Sequence, residues 1–182
     1  MSKRAILVID LQKEYLPSGR LPLVDINTAV ANAAQVIEAG RGCGDTVIHI
    51  RHENPADASV FQRGTPSVEI IPVVQPRAGE QIVVKAYPNA FRDTDLKRLP
   101  DGEGAEEVVI VGAMSHICVD ATSRAAADLG YAVTVIDDAC ATMDVEHGGV
   151  VVRAEQVHSA YMAALAFAYG RVVSTPEFVS VT

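Results

Sequence analysis

Three side chains of unlike chemistry each follow an apolar run. Asp10 closes Ala5 to Ile9, Lys85 closes Gln81 to Val84, and Cys118 follows Glu107 to Val111 across the link Gly112 to Ile117. A carboxylate, an ammonium and a thiol make up a nucleophilic acyl-transfer site that needs no histidine. The carboxylate takes the thiol proton, the ammonium holds the ion pair, and sulfur attacks a carbonyl. Backbone N–H groups at the start of the helix expected from Cys118 to Leu129 would form an oxyanion hole. The same groups, with the helix dipole, favour thiolate over thiol. Each residue alone also has a plainer reading. Asp10 suits a turn or an N-cap, Lys85 suits the surface end of a strand, and Cys118 suits a redox-sensitive or inert core thiol. Together they carry more, because parallel strands bring such ends to one edge of a sheet, where ligands bind.

The elements that must position them alternate. Ala5–Ile9, Thr46–Ile50, Gln81–Val84, Glu107–Val111, Ala132–Asp137 and Arg171–Ser174 read as strands, mostly continuous and rich in β-branched residues. Asn27–Glu38, Asp93–Leu99 (stopped by Pro100), Cys118–Leu129 and Val151–Tyr169 read as helices, the first ended by the glycines from Gly40 to Gly44. Ser59–Thr65 is open between a short helix and loop. Strands alternating with helices imply parallel βαβ units, so the expected fold is α/β: a three-layer doubly wound, Rossmann-like sheet of about six strands. Residues 1–182 read as one domain. His52 to Arg77 stands apart, with Pro55, Pro66, Pro72 and Pro76 and little periodicity. It reads equally as a lid or binding loop and as a surface insertion or subunit contact.

Composition narrows the function classes. Hydrophobic residues make up 49 % of the 182, enough for a full core, and the formal net charge is -8. That charge disfavours nucleic acid and anionic membrane as partners. The basic start, Met1 to Arg4, is followed by an apolar run that Asp10 cuts short of a signal sequence. A cytoplasmic protein with reduced cysteines is expected, and three cysteines leave at least one unpaired.

The three motifs, in order and spacing, resemble the isochorismatase-like cysteine hydrolases, a superfamily that includes nicotinamidases and N-carbamoylsarcosine amidohydrolases. They are Val8-Ile9-Asp10-Leu11-Gln12 with Tyr15, Val84-Lys85 with Tyr87-Pro88-Asn89-Ala90-Phe91, and Gly112-Ala113-Met114-Ser115-His116-Ile117-Cys118-Val119 with Ala121 to Ala126. The resemblance covers nearly the whole chain. It implies an Asp10–Lys85–Cys118 triad, a cis peptide between Ala113 and Met114, and an oxyanion hole from the Met114 and Cys118 amides. It also implies cleavage of a small amide, carbamoyl or ureido substrate through a thioester, without a cofactor, in a homo-oligomer. Isochorismatase itself cleaves a vinyl ether, and some of its relatives lack the cysteine, so Cys118 favours the amide chemistry. Substrate contacts are expected from Tyr15, His52, Tyr87, Asn89, Phe91, Met114 and Ile117, some of which suit the core as well.

No metal is expected. The nicotinamidases of this superfamily carry Asp-x-His after the second strand, whereas here the stretch reads His49-Ile50-Arg51-His52-Glu53-Asn54. His49 and His52 would point to opposite faces of a strand. Arg51, His52 and Glu53 would line the pocket or simply open the loop. Cys43 and Cys140 read as inert, with more interest in Cys140 at a strand end. His158 reads as structural or interfacial, and the apolar helix from Ser159 to Tyr169 as a subunit contact. A nucleotide- or flavin-binding domain lacks its phosphate loop, because no GxGxxG follows the first strand and no GxxxxGK[ST] occurs. A non-enzymatic small-molecule-binding or scaffold protein would have no use for all of Asp10, Lys85 and Cys118.

Overall fold

In the computed structural model, which describes residues 4–182, the chain begins with β1 (Arg4–Ile9), α1 (Ile26–Cys43) and β2 (Thr46–His52). There follow β3 (Gln81–Lys85), α2 (Arg98–Gly102), β4 (Glu107–Ala113), α3 (Asp120–Asp128) and β5 (Ala132–Ala141). A hairpin of β6 (Val145–His147) and β7 (Val150–Val152) precedes α4 (Ala154–Ala168), β8 (Arg171–Val173) and α5 (Thr175–Ser180). The six-stranded sheet has the order β3-β2-β1-β4-β5-β8, and every pairing in it is parallel. The order reverses between β1 and β4, the switch point at which open α/β sheets hold ligands.

Both faces of the sheet are covered, which explains the unbroken apolar runs. Ile6, Val8, Val109 and Val111 pack with α1 and α5 on one side. Leu7, Ile9, Ile48, Ile50, Val108 and Ile110 pack with α3 and α4 on the other. No helix among the described residues is long and apolar enough to cross a membrane.

The structure departs from the sequence reading where local signals compete. α1 runs through Gly40 and Gly42 and stops only at Gly44, whose φ of 78° makes the left-handed cap. Gly40 serves packing, since a Cβ there would lie 2.1 Å from the Ile6 Cδ1 methyl. The expected helix from Asp93 to Leu99 is turns as far as Lys97, and helix begins only at Arg98. That helix, α2, takes Pro100 into its first turn, where no N–H is needed. Ser59–Thr65 forms no helix, and the loop's only helical turns are short 3-10 pieces at Pro66–Val68 and Pro72–Val74. Val151 and Val152 belong to the hairpin, closed by Gly148 and Gly149 at φ 59° and 78°, so α4 begins later than its apolar pattern. Paired positive φ values at both turn residues match the right-handed strand twist. β5 continues past Asp137 to Ala141, pairing with β4 on both sides of an irregularity between Ile110 and Gly112. α5 carries a Ser174–Glu177 capping box with Pro176 in its first turn.

The 52–77 loop is a packed wall. Gln12, fully buried, clamps it: its amide donates to the carbonyls of His52 at 2.9 Å and Val68 at 2.8 Å, and its oxygen accepts the His52 N–H at 2.8 Å. Lys13 N–H and Ile71 N–H add backbone bonds to Glu69 and Leu11. Phe61, Val68, Ile70, Ile71 and Val74 are buried beneath.

Candidate active site

Asp10 sits one residue past β1 with φ 50°, a left-handed conformation that turns the chain off the sheet edge. Its backbone N–H still donates to Ile50 at 3.1 Å, so the turn is anchored to β2. A non-glycine residue held at positive φ costs on the order of 1 kcal/mol and persists where surrounding structure imposes it. Lys85 is the last residue of β3. Its ammonium lies 2.7 Å from Asp10 Oδ2, with both side chains fully buried. The same nitrogen is 3.4 Å from Cys118 Sγ and 3.1 Å from His52 Nδ1. Neither Asp10 oxygen has a hydrogen-bond partner of good geometry among the described residues, and Oδ2 meets Lys85 as an ion pair. Acid, ammonium and thiol thus meet at the carboxyl edge of β1, β3 and β4.

Cys118 reaches this point through an unusual link. The Ala113–Met114 peptide is cis, and Ser115–Val119 forms a single π turn ahead of α3. The Met114 carbonyl accepts both Ile117 N–H at 3.0 Å and Val119 N–H at 3.2 Å. Cys118 therefore precedes α3 rather than opening it, and the thiolate-favouring field expected of a helix start does not prevail. Burial, then the Asp10 charge, push the thiol up to about 12 against the opposing pull of Lys85. The resting sulfur therefore favours the thiol form. The link is strapped from behind: Ser115 Oγ is 3.2 Å from the Ala141 carbonyl and 2.8 Å from His158 Nδ1, and His116 Nδ1 is 2.5 Å from Thr142 Oγ1. Gly112 makes the approach possible. A Cβ there would fall 2.0 Å from the Ile9 carbonyl oxygen, and its φ is 135°.

Of the expected substrate contacts, Tyr15 and His52 are brought to the triad. The Tyr15 phenol is held well above its ordinary range by burial, then by the neighbouring Asp10 carboxylate. Phe61, an isolated aromatic in the proline-rich loop, meets both rings edge-on, at 5.1 Å from Tyr15 and 5.2 Å from His52. Nothing in its place along the chain signals this. Met114 is buried and Ile117 half-buried in the link that carries Cys118. The segment after β3 is occupied within the chain: Asn89 Oδ1 accepts Phe91 N–H at 2.9 Å, Phe91 stacks on Tyr131, and Arg92 lies over the Tyr87 ring. Thr122 of α3 accepts Ala90 N–H at 3.1 Å and so fixes this segment beside Lys85.

His49 and His52 do point apart. His49 Nε2 meets Glu80 at 3.2 Å, while His52 faces Lys85. The His52 ring also meets Asn54 Oδ1 at 3.0 Å through Nε2. Arg51 pairs with Glu53, which also holds Arg63 of the loop. Cys140 is buried, and burial raises its thiol to about 12, whereas Cys43 is exposed.

Comparison with known proteins fits this geometry. Residues 4–176 match the isochorismatase domain. The isochorismatase family protein YddQ of Bacillus subtilis is 41 % identical over 176 residues, covering 96 % of this chain and 98 % of its own. The maleamate amidohydrolase of Pseudomonas putida is 32 % identical over 149 residues, covering 74 % of this chain and 70 % of its own. The crystal structure of a cysteine hydrolase from Pseudomonas syringae pv. phaseolicola superposes with a TM-score of 0.93 at 26 % identity, covering 98 % of this chain and 91 % of the other. Since the matched region takes in every strand of the sheet and all three motif segments, the chain belongs to the isochorismatase family of hydrolases.

Proposed function

We propose that this hydrolase cleaves a small amide, carbamoyl or ureido substrate through a thioester on Cys118, with Asp10 as the acid–base group and Lys85 as the cation that holds both. The observation that carries the reading is one buried ammonium 2.7 Å from the carboxylate and 3.4 Å from the sulfur. The amidohydrolase and the cysteine hydrolase among its relatives support the same chemistry.

The steps follow from the placement of the three groups. Asp10 takes the Cys118 proton as sulfur bonds to the substrate carbonyl carbon, and charge develops on the carbonyl oxygen. The N–H groups of Met114, just before the π turn, and of Cys118, within it, are the donors proposed for that oxygen. Asp10 then gives the proton to the leaving nitrogen, the C–N bond breaks, and the amine or ammonia departs. In the second half Asp10 takes a proton from water, whose oxygen attacks the thioester. The C–S bond breaks, the acid leaves, and the proton returns to sulfur. Because the resting thiol is pushed up to about 12, sulfur becomes nucleophilic only as Asp10 accepts its proton.

The protein is also proposed to work as a cytoplasmic homo-oligomer through the outer face of α4. There Ser159, Ala160 and Ala163 are exposed and Phe167 is 93 % exposed. Light scattering should give a mass that is a multiple of 19.3 kDa. A Phe167→Asp variant should dissociate, and a wild-type monomer would refute the assignment.

Ammonia release from a panel of small amides, ureido compounds and nicotinamide tests the chemistry. At least one compound should turn over with wild type and with neither Cys118→Ser nor Asp10→Asn. Full turnover by Cys118→Ser would refute covalent catalysis, and unchanged turnover by Asp10→Asn would move the base to another group.

A further inference from the structure

We propose that His52 is a positioning residue of this site: a neutral imidazole that accepts one N–H of Lys85 and so fixes the ammonium between Asp10 and Cys118. The proposal rests on the reading of Asp10, Lys85 and Cys118 as the catalytic group, and it gives His52 a role other than substrate contact.

The β2–β3 register pairs His52 with Lys85, so their side chains rise from one face of adjacent parallel strands. Lysine only donates. With Nζ 3.1 Å from Nδ1, that ring nitrogen must offer a lone pair, and the ring proton must sit on Nε2. Nε2 lies 3.0 Å from Asn54 Oδ1 and donates to it. The Asn54 amide is oriented by its own donation to the Val60 carbonyl at 3.0 Å. The tautomer of His52 is thus set from the wall of the site, through Val60 and Asn54, and not by solvent. Gln12 holds the His52 backbone on both its N–H and its carbonyl.

Counting donors gives the consequence. The ammonium has three N–H groups and three partners within reach: Asp10 Oδ2 as an ion pair at 2.7 Å, and Cys118 Sγ and His52 Nδ1 as hydrogen-bond acceptors. It is fully buried, so water cannot replace an acceptor that is lost. The charged groups facing His52 are Lys85 from β3 and Asp10 from the turn after β1. Asn54 and Phe61, from the wall, are neutral. Burial first, then the Lys85 charge, lower the imidazole's proton affinity, which agrees with a neutral ring.

Two measurements test the proposal. Long-range 1H–15N spectra of the 15N-histidine-labelled protein at pH 7.5 should show His52 protonated on Nε2 with Nδ1 as an acceptor. An Nδ1–H tautomer or an imidazolium there would overturn the proposal without any variant. The second follows carbamidomethylation of Cys118 by iodoacetamide, resolved by peptide mass from Cys43 and Cys140. His52→Leu should slow it by about tenfold or more, the worth of one hydrogen bond to a charged group. His52→Gln, whose amide oxygen can accept, should recover most of the rate. A purely structural histidine would give no such rescue, and a wild-type rate in His52→Leu refutes the role. If instead wild-type Cys118 reacts no faster than Cys140, the catalytic reading fails and not the place of His52 within it.

Discussion

Two cysteines in this chain have nearly the same surroundings by burial and proton affinity. Cys118 and Cys140 are both about nine-tenths buried, and both thiols are pushed up to about 12. They differ in neighbours. Cys118 has a carboxylate with an unpartnered oxygen and a buried ammonium, whereas Cys140 faces the backbone of Gly112. Their types and strand-end positions made Asp10, Lys85 and Cys118 visible in the sequence. Their electrostatics were not visible, because a thiol raised by burial and a thiolate favoured by a helix start leave the same letters. Lys85→Met would leave the buried Asp10 without its ion-pair partner. Breaking one side of such a pair costs about 3–5 kcal/mol. Calorimetry should show a fall in melting temperature of about 6–20 °C for a protein of this size. The double variant Asp10→Asn, Lys85→Met should recover part of it. No recovery would mean that the pair does not interact in the folded state.

At the scale of elements, glycine carried two opposite meanings that the sequence alone did not separate. Gly40 and Gly42 looked like a helix end and lie inside α1, while Gly148 and Gly149 close a hairpin hidden before an alanine-rich helix. Periodicity found the strands because both sheet faces are buried. It missed α2 and the true start of α4, where a proline in a first turn and a two-residue turn override the pattern. The 52–77 segment offered lid or insertion as readings. The Gln12 clamp ties it to the turn after β1 through contacts 40 and 56 residues apart that no local signal encodes. Gly112 is the most constrained link, seated between Ile9 of β1 and Cys140 of β5. Gly112→Ala would drive a Cβ into the Ile9 carbonyl at 2.0 Å, a contact with backbone that side-chain movement cannot relieve. The variant should lose about 3 kcal/mol or more, with a matching fall in urea midpoint. A wild-type midpoint would show that β1 and β4 can separate without cost.

For the whole molecule, the sheet order turns three distant motifs into one crevice at the switch point between β1 and β4. The alternation of strands and helices made the α/β class legible. The order of the strands was not, because it depends on crossovers rather than on local pattern. The same packing sets a pH dependence. His49, His52, His116 and His158 all have their proton affinity lowered from the ordinary value of 6.5, in each case chiefly by burial. The unfolded chain binds these protons more readily, so the stability is present above pH 6.5 and is lost as pH falls through the lowered folded values. Glu80, which burial pushes up but its bonds to Arg41, Arg77 and His49 together bring down to about 2, adds a loss only at more acid pH, below its ordinary 4.5. Melting temperature should therefore begin to fall near pH 6.5, and a flat profile from 7.5 to 5 would contradict the buried neutral histidines. The central claim, that Asp10 and Lys85 make Cys118 a nucleophile, is tested most directly by one comparison within a single sample. Iodoacetamide should label Cys118 about a hundredfold or more faster than the equally buried Cys140, in the range that a positioned general base contributes, and Asp10→Asn should abolish the difference. Equal rates for the two cysteines in the wild-type protein would contradict the account.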